Sequence, residues 1–195
     1  MATPTRERIL DAAWRLFLKQ GFIGTTISQI EGAASLAQGT GSFYRHFRSK
    51  EDVLRAAVDR EVDRLDAVST FGPEPDETGG DVRVALAIEF QRRLDNLRRL
   101  HPLMVLLHRE RDHLGPSREH LGERVVGRNL DVRSQRLQSW MSAGVIPARD
   151  ADALAATVLS ALTGYHLSRE FFGSPPGSLN EAEFVSTLVD LVVGS

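Results

Sequence analysis

The residues best suited to chemistry lie in one run, FYRHF at positions 43–47. Its phenol, guanidinium and imidazole groups all bond readily to phosphate oxygens, and nearby hydroxyl and ammonium groups do the same. We expect the aromatic residues at 43 and 47 to anchor the segment from beneath. The residues expected to contact phosphates are Thr26, Tyr44, Arg45, His46 and Lys50.

Three polar residues just before this run, Gln38, Thr40 and Ser42, are suited to reading base edges. A glutamine amide can pair with adenine through two hydrogen bonds, and a threonine methyl can contact that of thymine. Gly39 and Gly41 each cost a helix up to about 1 kcal/mol. They are understandable if the backbone there approaches DNA closely. A solvated surface position is the alternative for Gln38.

Helical patterns surround these residues. Apolar residues at spacing i, i+4 predict a helix from Arg6 to Gln20, which Gly21 ends. Thr26 and Gln29 have the spacing of a capping box and open a second helix, which ends near residue 34. A short turn and a third helix over about residues 37–46 then complete a helix-turn-helix, in which the last helix enters the major groove.

The rest of the chain is also helical in pattern. Ser49 caps a connecting helix over 51–69, and the Pro/Gly/acid stretch 71–80 marks a boundary. Further helices are predicted over 81–100, from His101-Pro102 to about residue 114, over 118–141, and from caps at Asp150 and Asn180. We predict an all-α protein of about nine helices, with a DNA-binding domain at 1–50 and a second domain at 70–195.

Charge supports this division only weakly. Residues 1–50 carry seven Lys/Arg and three Asp/Glu, a net +4, whereas the remainder is −6. A basic first quarter suits a partner that is a polyanion. There is no cysteine, no apolar run of membrane-spanning length and no signal-peptide pattern. We therefore expect a cytoplasmic protein without a membrane partner.

The motifs together resemble a known family. Thr25-Thr26, residues 34–36, Gly39-Thr40, the run at 43–47 and the following Ser-Lys-Glu at 49–51 are similar to the DNA-binding end of TetR-family transcriptional repressors. The likeness covers about residues 5–60, and beyond them only helix number and length. Two features depart from the family: Ser35 stands where glycine is common, and Gly41-Ser42 lengthens the recognition segment by two residues.

The resemblance implies a homodimer that reads a near-palindromic operator in double-stranded DNA. Dimeric readers place two recognition helices about 34–36 Å apart. The last two helices are rich in small and apolar residues and would pair with their copies as a four-helix bundle. The alternative is that these two helices only cover the core of a single subunit. The residues expected at the dimer interface are Leu154, Val158, Leu162, Tyr165, Phe184 and Leu188.

The resemblance also implies a pocket for an unknown small molecule whose binding releases DNA. Ordinary core packing is the alternative for each of its expected residues. A ligand shifts such an equilibrium only through different affinities for the two states. The residues expected to line the pocket are Phe90, Leu94, Met104, His108, Trp140 and Tyr165.

Two other classes of protein compete with this interpretation. The histidines at 101, 108, 113 and 120, with Glu110-x-x-His113, suggest a metal-binding helical bundle, but a di-iron site needs two such motifs and two further glutamates. A DNA-binding protein without an effector is the second alternative. No nucleophile elbow, phosphate loop or paired-carboxylate motif indicates an enzyme, and we predict no metal and no cofactor.

Overall fold

The computed structural model describes residues 4–37, 39, 41–66, 72–114, 123 and 127–194, with backbone alone at 65, 66, 128 and 129. Every regular element in these ranges is helical, which confirms the all-α prediction. The described α-helices are α1 (Thr5–Gln20), α2 (Ile27–Ala33), α3 (Lys50–Asp66), α4 (Val82–Arg109), α5 (Arg111–Leu114), α6 (Arg128–Ser142), α7 (Ala151–Phe172) and α8 (Glu181–Val193). None of the described helices is long and apolar enough to cross a membrane.

The chain forms two compact units. Among the described residues, the first unit holds residues 4–66 and 100–114, and the second holds 72–99, 123 and 127–194. The sequence prediction had placed residues 100–114 in the second domain. Helix α4 therefore contributes residues 82–99 to one unit and 100–109 to the other.

The first unit is built around α1, which packs against both α2 and α3. Its core consists of side chains from all three helices and from the 3₁₀ turn Phe43–Arg45. Burial of such apolar side chains stabilises the unit by about 1.5–3 kcal/mol each. Its fully buried members include Ile9, Leu10, Phe17, Ile30, Phe43 and Leu54.

The second unit packs α6 against α7, with the first part of α4 and α8 completing its core. The predicted caps are present: the Asp150 carboxylate accepts the N–H of Ala153 at 2.9 Å, and Asn180 forms a capping box with Glu183. The main buried apolar side chains are Phe90, Leu94, Leu137, Leu162 and Leu188.

The predicted break at Pro102 is wrong, because α4 continues through it. A proline inside a helix removes one N–H and costs about 3 kcal/mol. The buried residues Leu100, Leu103 and Leu106 flank it, at 5%, 2% and 0% exposure. Their burial offsets a cost of this size.

The predicted third helix also differs from what the structure describes. Gly39 and Gly41 both have φ of +73°, and only Phe43–Arg45 is helical, as a 3₁₀ turn. A left-handed conformation has no steric cost for glycine. The second helix of the motif is therefore interrupted at both glycines.

Candidate nucleic-acid interface

The run at 43–47 presents its polar side chains outward. Tyr44 is 61% exposed and Arg45 and His46 are exposed, whereas Phe43 and Phe47 are buried. The rings of Phe43 and Tyr44 meet edge to face, 5.4 Å between centroids. The buried phenylalanines thus hold three polar groups at the surface, where residues that contact phosphates have to lie.

A buried carboxylate, which the sequence interpretation missed, shapes the segment before this run. Glu31 is 3% exposed, and its two oxygens accept the backbone N–H groups of Gly39 at 3.0 Å and Phe43 at 3.4 Å. The signal for it was available, since Glu31 follows Ile27 at i+4 and so lies on the inward face of α2. The Glu31 carboxylate thus accepts backbone N–H groups that main-chain carbonyls would accept in a regular helix.

The turn after α2 has a second support. The Arg8 guanidinium donates to the carbonyl of Ala34 at 3.0 Å from Nε, and to that of Ser35 at 3.1 Å from Nη2. These two carbonyls follow directly on the C-terminal end of α2, near which a cation is favourable. Ser35 has φ of +55°, a left-handed conformation that glycine adopts more easily.

Two of the residues expected at phosphates already have partners. The Thr26 hydroxyl accepts the N–H of Gln29 at 3.2 Å within the predicted capping box, although Thr26 is exposed. The Lys50 ammonium donates to the carbonyls of Phe22 at 2.8 Å and Thr25 at 2.7 Å, and lies 4.2 Å from the centre of the Phe22 ring. Lys50 therefore ties the start of α3 to the turn between α1 and α2.

The start of α3 is occupied by side chains of its own. The Ser49 hydroxyl accepts the N–H of Asp52 at 3.1 Å, as its predicted cap requires. Hydrogen bonding to the backbone at the helix start, and then to the Ser49 hydroxyl, lowers the pKa of the Glu51 carboxyl. Acidic groups thus use donors that could otherwise bind a phosphate.

The residues expected at base edges are only partly described. Gln38 and Thr40 lie outside the described residues. Gly39 is exposed, and Ser42 is half-buried just before the 3₁₀ turn.

Arg6 is a further cation near the exposed run. Its guanidinium carbon lies 5.2 Å from the centre of the Phe47 ring, and its side chain is 52% exposed. In the sequence, Arg6 stood out only as one of the basic residues in the first quarter of the chain, and the helical pattern of apolar residues did not mark it as a DNA contact.

The expected pocket residues fall in both units. In the second unit, Phe90 and Trp140 line one cavity together, and Leu94 and Tyr165 are buried. Met104 is half-buried and His108 exposed in the first unit. The cavity also has charged walls, which the sequence interpretation missed.

Among the described residues, no group of three His, Asp or Glu side chains is placed to hold a metal ion, so their geometry does not favour the metal-binding alternative. The Glu110 carboxylate instead accepts the N–H of Phe22 at 3.0 Å and the Nε–H of Arg109 at 2.8 Å. The His113 ring lies 4.4 Å from that of Phe22. His120 falls outside the described residues.

Comparison with known proteins identifies the family that the first part of the chain matches. Residues 9–57 match the model of the bacterial regulatory proteins of the tetR family. They contain the capped helix α2, the turn with its two glycines and the exposed run. Residues 9–57 therefore match the DNA-binding segment of the TetR family.

Relatives resemble the chain over short aligned segments, and solved structures resemble it in fold along most of its length. The transcriptional regulator YerO of Bacillus subtilis (strain 168), itself uncharacterised, is 43% identical over 54 residues, 28% of this chain and 18% of that protein. Aligned segments span 18–54% of the length of the curated relatives. The solved structure of reduced NemR from E. coli covers 98% of both chains, with a TM-score of 0.71 and 20% identity.

A second solved TetR-like fold is that of AibR, whose structure contains isovaleryl coenzyme A and operator DNA. It covers 97% of this chain and 98% of its own, with a TM-score of 0.60 and 18% identity. At such identities the likeness to AibR and NemR establishes the fold alone.

Proposed function

We propose that this chain is a homodimeric transcriptional repressor of the TetR family that binds a near-palindromic operator and leaves it when a small molecule binds. The observation that carries the proposal is the exposed Tyr44-Arg45-His46 run, set on two buried phenylalanines within the segment that matches the family model. Phosphate contacts from this run would fix the register of the protein on the duplex.

Base reading in this proposal falls to the segment between α2 and the 3₁₀ turn. Gln38, Thr40 and Ser42 remain the proposed readers, and Glu31 would hold the backbone around them. Because two glycines interrupt the segment, bases would be met by a turn stiffened by a carboxylate rather than by a regular helix.

The dimer in this proposal uses exposed surface of α7 and α8. Four of the residues expected at the interface, Val158, Leu162, Tyr165 and Leu188, are already buried within the chain at 1–6% exposure. Exposed positions on α7 at Ala153, Ser160 and Gly164 recur at helical spacing and are small, which allows close approach of a second helix.

Large exposed apolar side chains lie on the same two helices, and a second subunit would cover them. Phe171 and Phe172 at the end of α7 are 64% and 80% exposed, and Leu191 on α8 is 63% exposed. Apolar surface of this kind commonly marks an interface.

Effector release in this proposal rests on the family match at residues 9–57 and on the cavity between α4, α6 and α7 in the second unit. Of the similar folds, AibR was solved with both a thioester of coenzyme A and operator DNA.

The proposal is tested by a gel shift with the DNA upstream of the gene for this protein, titrated against unrelated duplexes at fixed salt. We expect a discrete complex with dimer stoichiometry on one near-palindromic segment, and affinity at least about 10³-fold above that for unrelated DNA. Equal affinity for all duplexes would favour the effector-independent DNA-binding alternative. Failure to bind any duplex would contradict both.

A further inference from the structure

A cluster of charged side chains is buried in the second unit. The arginine cluster comprises Arg93 and Arg133, both 4% exposed, and Arg136, whose side chain is 12% exposed. Glu89, 5% exposed, is the one carboxylate buried with them among the described residues. Buried charges are costly unless each has a partner.

The buried carboxylate is shared by two of the three arginines. Glu89 forms an ion pair with Arg133 through one oxygen and with Arg136 through the other, at 3.1 Å in the second case. Arg136 also lies 3.4 Å from the Glu74 carboxylate and donates to the carbonyl of Gly72 at 3.1 Å. Both oxygens of Glu89 therefore already have an arginine partner other than Arg93.

Arg93 lacks such a partner. No hydrogen bond or ion pair joins it to another residue in the part of the chain that the structure describes, and its Nε is buried without an acceptor. Burial, followed by repulsion from Arg133, lowers the pKa of Arg93 to about 10, against the opposing effect of Glu89. At neutral pH Arg93 is still a cation, and the one carboxylate buried near it among the described residues, Glu89, also pairs with two other arginines.

A second unpartnered polar atom lies one turn further along α4. The Oδ1 atom of Asn96, a residue 5% exposed, has no hydrogen bond either. Arg93 and Asn96, at spacing i, i+3, share one face of the helix. The same face carries Glu89 one turn before Arg93.

Two of the three arginines, Arg133 and Arg136, line the same cavity as Phe90 and Trp140, whereas Arg93 does not reach its wall. Glu89, Arg133 and Arg136 form its charged side, and the Arg136 guanidinium carbon lies 4.7 Å from the centre of the Trp140 ring. The enclosed space is about 20 Å³, enough for a single water. A larger ligand enters only if the surrounding helices part. The apolar lining consists of Leu86, Phe90, Leu137, Ala155, Val158 and Val192.

We propose that the arginine cluster binds an oxyanion, the carboxylate or phosphate group of an amphiphilic effector, with Arg93 as its unsatisfied donor. The remainder of the effector would lie against the apolar lining. Guanidinium groups recognise both oxyanions through paired hydrogen bonds, so the chemistry is shared between the two sources. This inference rests on the proposed function for its consequence, release of DNA, but the anion site itself does not.

The test measures anion binding without DNA. Full-length protein is titrated with hexanoate, hexanamide and inorganic phosphate at constant ionic strength, and binding is followed by the thermal midpoint and by Trp140 fluorescence in a Trp14→Phe background. We expect hexanoate or phosphate to bind and hexanamide to leave both signals unchanged. A response to hexanoate but not to phosphate assigns a carboxylate, and the reverse assigns a phosphate.

Two variants on the same helix give the matched comparison. Arg93→Met should weaken anion binding at least tenfold, because a charge-assisted hydrogen bond is lost. Arg92→Met, one position away and exposed, should leave the affinity unchanged. Arg93→Lys serves if the methionine variant does not fold, and should weaken binding through loss of the planar fork.

Three results would overturn the anion site: no anion response, an equal response to hexanamide, or unchanged affinity in both Arg93 variants. The proposed function is scored separately. Anion binding that leaves the operator complex intact would disprove effector release by this site and preserve the site. An operator complex together with no anion response would disprove the anion site and leave the proposed operator binding intact.

Discussion

The Glu31 carboxylate accepts the backbone N–H of Gly39 at 3.0 Å, and so joins the buried face of α2 to the segment proposed to read bases. The other oxygen accepts the N–H of Phe43. One acidic side chain therefore holds both ends of an interrupted helix. Its loss should affect stability and DNA recognition together.

Replacing Glu31 with Gln removes the charge and turns one acceptor into a donor. We expect the free energy of unfolding to fall by about 1–3 kcal/mol, because one of the two backbone N–H groups that Glu31 binds loses its acceptor. Operator affinity should fall as well, while the salt dependence of binding stays the same. Urea denaturation and gel shifts measure the two effects. Asp112→Asn, at a side chain 87% exposed, is the control and should change neither; an unaltered Glu31→Gln protein would mean that the carboxylate holds nothing.

Ser35→Gly should stabilise the protein. Ser35 has φ of +55°, which costs a residue with a Cβ about 1–2 kcal/mol. Part of that gain is lost to the greater entropy of glycine in the unfolded chain, so we expect a net increase of about 0.5–1 kcal/mol. Urea denaturation measures it. Ala33→Gly, at an exposed helical position nearby, should instead destabilise by about 1 kcal/mol. Equal effects at both positions would show that backbone strain is not the cause.

Tyr44→Phe and His46→Ala should weaken binding to all duplexes alike. Each removes one group proposed to contact a phosphate, and His46→Ala should also make the slope of log affinity against log salt less steep, by up to about one unit, if the imidazole is charged in the complex. Fluorescence anisotropy on operator and unrelated DNA at several salt concentrations measures both. A loss confined to one base position would assign these residues to base reading instead.

Substitutions at Lys50 and Arg45 should separate an effect on stability from an effect on DNA binding. Lys50→Met removes two hydrogen bonds to carbonyls, so we expect a loss of about 1.5–3 kcal/mol in unfolding free energy. Arg45→Met, at an exposed position, should leave stability within about 0.5 kcal/mol and weaken DNA binding. Thermal unfolding and gel shifts on both variants measure the two effects. A Lys50→Met protein as stable as the parent would contradict the structural role of Lys50.

Phe172→Ser should shift the chain from dimer towards monomer if the end of α7 is covered by a second subunit. The side chain is 80% exposed within one chain, so its removal should cost the isolated subunit less than about 0.5 kcal/mol. Sedimentation measures the change. Glu170→Ser, two positions earlier and also exposed, is the control. Equal dimer affinity in the two variants would place the interface elsewhere.

The sequence by itself determined the features that depend on neighbouring residues. The caps at Thr26, Asp150 and Asn180 bond to groups three residues away, so local pattern suffices to find them. The residue types in the run at 43–47, two phenylalanines flanking three polar residues, likewise predicted which rings anchor and which side chains face outward. The all-α class follows from the same local periodicity.

Only the tertiary structure decided the features that depend on partners distant in sequence. Pro102 remains inside α4, where buried leucines compensate for the lost hydrogen bond. Glu89 meets Arg133, 44 positions later, while the Nε–H of Arg93, on the same helix, meets no hydrogen-bond acceptor among the described residues. Which buried charge finds a partner depends on how the helices pack, because local pattern orients a side chain inward but cannot say what it will meet there.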